Sequence, residues 1–363
     1  MMELSVCIIT KNEEKNIERC LQCLKPYGFE IVVVDTGSTD ATKEVARHYT
    51  ECVYDFKWCN DFAVAKNFAI LKASNPYVMV IDSDEYLENV NMTELERLIR
   101  QYPDKVGRIQ RRNVFTRNHQ KQVTVEWINR IFSKEKFRYV GRIHEQVTAI
   151  DDKDYETYQA PVVILHSGYD LNEEERKAKA ERNSTLLLKE LEQLQQEAAT
   201  DARKTAQIPY ILYQLGKSFY MAGDYETACG YFSEGLTYDL EPKLEYVIDM
   251  VETYGYALLN CGQAKTALFF ENIYEEFGDC ADFKFLMGLI YMNNELFDEA
   301  VAEFLKATKY AQSRTVGANS HLAFYNIGVI YECLGRTDKA RTFYEKCVAY
   351  GPAQDRLRAL LRE

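Results

Sequence analysis

The sequence predicts an α/β domain built on a mainly parallel sheet, followed by an all-α domain of helical repeats. Three observations carry that expectation. Short apolar runs rich in β-branched residues alternate with segments of helical spacing through the first eighty residues. One of them, Tyr77-Val-Met-Val-Ile-Asp-Ser-Asp-Glu85, ends a strand in three carboxylates. In the second half a glycine and an alanine twelve residues apart recur four times.

Residues 4–10 (Leu-Ser-Val-Cys-Ile-Ile-Thr) read as a strand by composition and length. The spacing of Ile17, Cys20, Leu21 and Leu24 predicts a helix over 12–24, and Pro26 stops it. Glu30-Ile-Val-Val-Val-Asp35 is a second buried strand. Gly37 suits the tight turn after it, and hydroxyls and carboxylates there offer N-caps for a helix over 41–49. A short strand at 52–56 and a helix at 62–74 lead to the strand at Val78, buried on both faces. Ligands of such sheets sit at the carboxyl ends of the strands. Thr10 and Glu13, Asp35 and Gly37, and Asp82 and Asp84 all fall at those ends. Further strands are expected at 106–115, 123–132 and 155–165.

Side chains at i and i+2 of an extended segment point the same way, so Asp82 and Asp84 are expected to converge just beyond their strand. Two hard oxygen ligands suit Mg²⁺ or Mn²⁺, with substrate phosphates completing the shell. The plainer reading is a solvated turn that caps the next helix.

The 363 residues suffice for two cores, and 47% hydrophobic with 28% charged residues is an ordinary globular composition. No apolar run reaches the length of a membrane span. Met1-Met2-Glu3-Leu4-Ser5 enters a strand without a basic leader, so a cytoplasmic location is expected. A net charge of −12 argues against a general nucleic-acid or anionic-membrane surface. Ten scattered cysteines suggest buried thiols, and Cys20-x-x-Cys23 has no second pair to make a metal site. Residues 105–147 run against the overall charge, with eleven Lys or Arg to three Glu. That bias fits a solvated strand face, or a site for phosphates or an acidic acceptor.

Four segments together, Ser-Val-Cys-Ile-Ile-Thr-Lys-Asn-Glu-Glu, Ile-Val-Val-Val-Asp-Thr-Gly-Ser-Thr-Asp, Ala-Lys-Asn-Phe-Ala and Ile-Asp-Ser-Asp-Glu, resemble the successive motifs of the inverting family 2 glycosyltransferases of GT-A fold. The resemblance is strong over residues 1–90 and weaker to about 170. It implies a Rossmann-like domain and a nucleotide-sugar donor, UDP by family habit. Thr10, Asn12, Glu13, Asp35 and Gly37 would hold base and ribose, and Lys66 and Asn67 would approach the nucleotide. Asp82 would meet the ribose, and Asp82 and Asp84 the metal on the diphosphate. A late histidine often completes the metal shell in such enzymes, which makes His166 the candidate third ligand, with a core histidine as the alternative.

An inverting enzyme of this family needs a general base, commonly an aspartate from a Glu-Asp pair. No such pair stands here. Val140-Gly-Arg-Ile-His-Glu-Gln-Val147 offers Glu145 as base, with His144 as its rival. A structural Glu145 paired with Arg142 or Arg130 is the alternative. Trp58 and Trp127 could stack on a sugar or base, or simply be buried.

Past residue 170 the composition shifts. Residues 171–208 read as a charged linking helix, which sets domains at 1–170 and 209–363. Gly216 and Ala228, Gly255 and Ala267, Gly288 and Ala300, and Gly328 and Ala340 mark four units at irregular spacing. They resemble tetratricopeptide (TPR) helix-turn-helix repeats, whose concave face suits a peptide and can equally make a homodimer interface. A GT-A domain with such repeats resembles bacterial transferases that glycosylate peptides. The expectation is a metal-dependent transferase with a peptide or protein acceptor. A glycan or small-molecule acceptor, or a non-catalytic scaffold, are the competing readings.

Overall fold

The apolar runs pair edge to edge. In the computed structural model β1 (Leu4–Thr10) lies between β2 (Glu30–Asp35) and β4 (Tyr77–Asp82), parallel to both, and β3 (Val53–Asp55) extends the parallel set beyond β2. The structure describes residues 3–117, 120–166, 173–198 and 202–360. It divides into two compact units, Met1–Asn172 and Glu173–Glu363.

Every residue of β1 is buried, because helices cover both sheet faces. Val6, Ile8, Val33, Met79 and Ile81 pack with Ile17, Leu21 and Leu24 of α1 (Glu14–Leu24). On the opposite face Cys7, Ile9, Val32, Val34, Val78 and Val80 pack with Ala65, Ala69 and Ile70 of α3 (Phe62–Lys72), the helix that follows α2 (Thr42–Arg47). Each fully buried aliphatic side chain contributes roughly 1.5–3 kcal/mol, so this double cover fixes the strands and aligns their ends. Thr10 is level with Asp35 across the β1–β2 pair, and Ile9 with Asp82 across β1–β4.

Beyond Asp82 the chain turns back into β5 (Glu85–Val90), a strand without a sequence signal of its own. After α4 (Met92–Gln101) come β6 (Val106–Arg117) and β7 (Gln120–Ser133), an antiparallel hairpin, and β7 joins β4 antiparallel. A two-stranded ribbon, β8 (Phe137–Val140) with β9 (Gln146–Ala149), precedes β10 (Thr157–His166). The main sheet has eight strands in the order β3-β2-β1-β4-β7-β6-β10-β5. The three later strands expected from sequence are β6, β7 and β10.

The second unit is all-α. The segment read as a linking helix contains α5 (Glu173–Ala198) and the short α6 (Ala202–Thr205), and α5 packs on α7 (Ile208–Ala222) inside this unit. Helix pairs follow: α7 with α8 (Tyr225–Gly235), then α9 (Glu245–Asn260) with a broken partner, α10 (Ala264–Ala267), a 3₁₀ turn at Leu268–Ile273 and α11 (Tyr274–Phe277). α12 (Ala281–Asn293) pairs with α13 (Phe297–Ala307), and α14 (His321–Cys333) with α15 (Thr337–Glu345), before α16 (Gly351–Leu360).

Ala228, Ala267, Ala300 and Ala340 are all fully buried. A Cβ on Gly216 would lie 2.5 Å from the Phe232 ring and one on Gly288 2.6 Å from Phe304, and Gly328 meets Tyr344 in the same way. Small residues are required where an aromatic ring crosses the partner helix. Gly255 faces Leu286 instead, since its own second helix is broken. Among the described residues no helix is long and apolar enough to cross a membrane.

Candidate active site

The aligned carboxyl ends of β1, β2 and β4 form the rim on which the candidate residues gather. Thr10 and Asp35 are almost wholly buried there. Asp35 Oδ1 accepts hydrogen bonds from the amides of Gly37 and Ser38, both 3.0 Å, which folds the loop over the strand end, and Gly37 takes a φ of +106° there. Asp35 Oδ2 and Thr10 Oγ1 are buried without a hydrogen-bond partner among the described residues. A buried unpaired polar oxygen costs about 1–3 kcal/mol, so a ligand that pairs these two is favoured.

Asn12 and Glu13 brace this loop. Asn12 accepts the Thr39 amide at 2.8 Å and donates its own to Ser38 Oγ. The Glu13 amide donates to Thr42 Oγ1 at 2.8 Å, and its carboxylate accepts from Asn16. The backbone of Asn12 is left-handed, with φ +55°.

Asp82 and Asp84 face different partners. The chain turns at residues 83 and 84, so the i, i+2 rule for extended backbone does not apply. Asp82 Oδ1 lies 2.9 Å from Lys66 Nζ, and its Oδ2 accepts from Arg130 at 2.9 Å. Burial works against the charge on Asp82, but these two cations hold its carboxyl well below the usual range. Asp84 instead faces His166, with 3.4 Å between Oδ2 and Nε2. Among the described residues no group of three His, Cys, Asp or Glu is placed to hold a metal. The expected triad of Asp82, Asp84 and His166 therefore reduces to the pair Asp84 and His166. One oxygen and one nitrogen donor suit a cation such as Mn²⁺ whose remaining ligands come from a diphosphate.

Glu145 is paired with neither Arg142 nor Arg130. Its Oε1 lies 2.6 Å from Lys66 Nζ, so a single buried ammonium bridges Glu145 and Asp82. Burial opposes the charge on Lys66, yet the two carboxylates hold its pKa above the ordinary lysine value. α3 also anchors the loop that presents Glu145. The Phe62 amide donates to the Arg142 carbonyl at 2.8 Å, and Asn67 clasps the Tyr139 backbone through both its amide oxygen and nitrogen. Asn67 is thus engaged in holding α3 to β8. Gly141, with φ +104°, and His144, with φ +51°, give the loop its bend.

Sequence reasoning missed a group behind the rim. Glu85 is fully buried, accepts the Asp82 amide at 2.9 Å and pairs with both Arg111 and Arg130. Arg111 also holds Glu126, which accepts from Asn113, and Asn113 Oδ1 meets His166 Nδ1 at 2.8 Å. The available signal was polar residues at same-face spacing on two paired strands, Arg111 with Asn113 and Glu126 with Arg130. Much of the basic excess in 105–147 is spent in this way. Lys105, Arg111, Arg112, Arg130, Lys136 and Arg138 all have carboxylate partners, which leaves less charge for an anion site than expected. Trp58 donates to Asn60 and packs edge-on against Phe62. Cys20 and Cys23 are free thiols, as are the other eight cysteines.

Comparison with known proteins agrees with this layout. Residues 5–149 match the model of glycosyl transferase family 2. Tetratricopeptide repeat models match residues 210–234, 281–314 and 322–353, leaving out the unit whose second helix is broken. The chain is 26% identical over 255 residues to a TPR repeat-containing protein of Synechococcus elongatus, a match covering 68% of this chain and 60% of that protein. It is 24% identical over 319 residues to the SPbeta prophage-derived glycosyltransferase SunS of Bacillus subtilis, covering 85% of this chain and 72% of that one. Over 116 residues it is 33% identical to the lipopolysaccharide core biosynthesis glycosyltransferase LpsC of Rhizobium meliloti, covering 31% and 43% of the two chains.

Proposed function

We propose that this chain, which carries a family 2 glycosyltransferase domain followed by tetratricopeptide repeats, is an inverting, metal-dependent enzyme that moves a sugar from a UDP-sugar to a peptide or protein acceptor. The observation that carries the donor half of this reading is the level pair of buried, unpaired oxygens on Thr10 and Asp35. They offer a hydroxyl and a carboxylate to the hydrogen-bonding edge of a nucleoside. Asn12, Glu13 and Gly37 keep the loop around it in place.

Asp84 and His166 would hold a divalent cation, which when bound offsets the charge developing on the diphosphate leaving group. Glu145 takes the proton from the acceptor nucleophile as that atom bonds to the anomeric carbon and the bond to the diphosphate oxygen breaks. Lys66 keeps the Glu145 carboxylate oriented and ties it to Asp82. His144, one residue away on a strained backbone, is the second candidate for the proton. The helical repeats supply the acceptor-binding surface, also the natural interface for a homodimer, and cytoplasmic action accords with this reading. A glycan acceptor is the second reading, favoured by the match to the lipopolysaccharide core enzyme.

Release of UDP from UDP-glucose and UDP-N-acetylglucosamine tests the assignment. The wild type with Mn²⁺ should hydrolyse one donor slowly, with water as acceptor. Asp84→Ala should abolish that hydrolysis, and Glu145→Gln should slow it by about 10²-fold or more while leaving UDP binding in place. Equal rates in wild type and Glu145→Gln would remove Glu145 from the mechanism.

A further inference from the structure

His166 Nε2 lies 3.4 Å from the Asp84 carboxylate, and what sets the proton on that ring lies behind His166. The Glu126 carboxylate can only accept. Asn113 must therefore present its amide nitrogen to Glu126, 2.5 Å away, and the same nitrogen lies 3.5 Å from Thr124 Oγ1. Arg111 donates to that same Glu126 oxygen from Nε at 3.0 Å and from a terminal nitrogen at 2.8 Å, which fixes the carboxylate. With its nitrogen committed, Asn113 presents Oδ1 to His166 Nδ1 at 2.8 Å. An amide oxygen only accepts, so Nδ1 carries the proton. In the neutral ring the lone pair then sits on Nε2, the atom 3.4 Å from the Asp84 carboxylate. Asn113 and His166 are both buried, so no bulk solvent competes for the bond between them.

We infer that Asn113 is a positioning residue that fixes the tautomer of His166, presenting an Nε2 lone pair beside Asp84 so that the two together take a divalent cation. The metal half of this inference rests on the proposed function, whereas the tautomer does not. Arg111 and Glu126 act through Asn113, as the outer partners of a ligating imidazole do. The relay also ties the two sides of the site together, because Arg111 pairs with Glu85, and Glu85 with the Arg130 that holds Asp82.

The test uses the full chain labelled with ¹⁵N-histidine, of which there are five, and reads the ring tautomer of His166 by NMR without metal. Wild type should show the Nδ1–H form, and Asn113→Leu should shift His166 toward Nε2–H. Calorimetry with UDP and Mn²⁺ together should show a loss of about 10- to 100-fold in affinity for Asn113→Leu. The exchanged pair Asn113→Asp with Glu126→Gln keeps an acceptor on Nδ1–H and restores a donor between the two side chains, so it should recover both the tautomer and the affinity. An Nε2–H ring in the wild type overturns the inference even if Asn113→Leu does not fold. Unchanged tautomer and affinity in Asn113→Leu overturns it as well. An Nδ1–H ring in a wild type that binds no Mn²⁺ with UDP would refute the metal half and uphold the role of Asn113 in fixing the ring.

Discussion

Thr10 and Asp35 stand level on neighbouring parallel strands, and each has a buried side-chain oxygen without a hydrogen-bond partner among the described residues. Asp35→Asn keeps the oxygen that caps Gly37 and Ser38 but removes the charge. UDP affinity should fall at least tenfold, about 1.4 kcal/mol, with little change in thermal stability. Thr10→Val should weaken UDP modestly and leave the fold as stable or more so, since it deletes an unpaired hydroxyl. Calorimetry with UDP and a melting curve for each variant check both statements, and undiminished affinity in Asp35→Asn would exclude Asp35 from the nucleoside site.

Lys66 bridges Asp82 and Glu145. Lys66→Met leaves Glu145 without its cation and Asp82 with Arg130 alone. The N-terminal unit should lose about 3 kcal/mol, the low end for breaking a buried pair, because Asp82 keeps a third of its side chain exposed. Urea unfolding followed by tryptophan fluorescence reports this unit, since both tryptophans, Trp58 and Trp127, lie in it.

The repeat glycines are sites of close approach. Gly288→Ala would place a methyl 2.6 Å from the Phe304 ring, which is fully buried and cannot swing clear. A loss of about 1–3 kcal/mol is expected for the helical unit. Gly230→Ala, in the same unit with nothing within 4 Å of its new Cβ, should be neutral or mildly stabilising. Similar destabilisation by both variants in thermal unfolding would contradict this packing.

The helical unit should also respond to pH. Burial pushes Glu252 up to about 8 from an ordinary 4.5; Arg314 opposes the shift, and the neighbouring carboxylates Asp282 and Asp249 add to it. Between those values the unfolded chain has released a proton that the folded unit retains. This contribution of Glu252 is therefore complete below about pH 4.5 and is lost as pH rises toward 8, by at most about 1.4 kcal/mol per pH unit. Glu252→Gln should flatten that slope in chemical denaturation between pH 5 and 8. An unaltered slope would assign the effect to another group.

The legible parts of this protein were those encoded locally. The parallel strands and the helix of Ile17, Leu21 and Leu24 follow from residue type and spacing, and so do Gly216 and Ala228 with their repeats. Features made by distant partners were not legible. Lys66 and Glu145 lie far apart in sequence, and nothing near either names the other. The strand rule that paired Asp82 with Asp84 was carried past the point where residues 83 and 84 turn the chain, and the two face different partners. Asn113 and Glu126 gave only a same-face polar pattern, which a solvated hairpin would share.

The measurement that bears most directly on the central claim is donor binding by calorimetry, with a panel of nucleotide sugars, with and without Mn²⁺, on wild type and Asp84→Ala. One UDP-sugar should bind the wild type in the presence of Mn²⁺. Omitting the metal, or replacing Asp84, should weaken that binding by about tenfold or more. Absence of binding by every donor to the folded wild type, or binding indifferent to both metal and Asp84, would contradict the account.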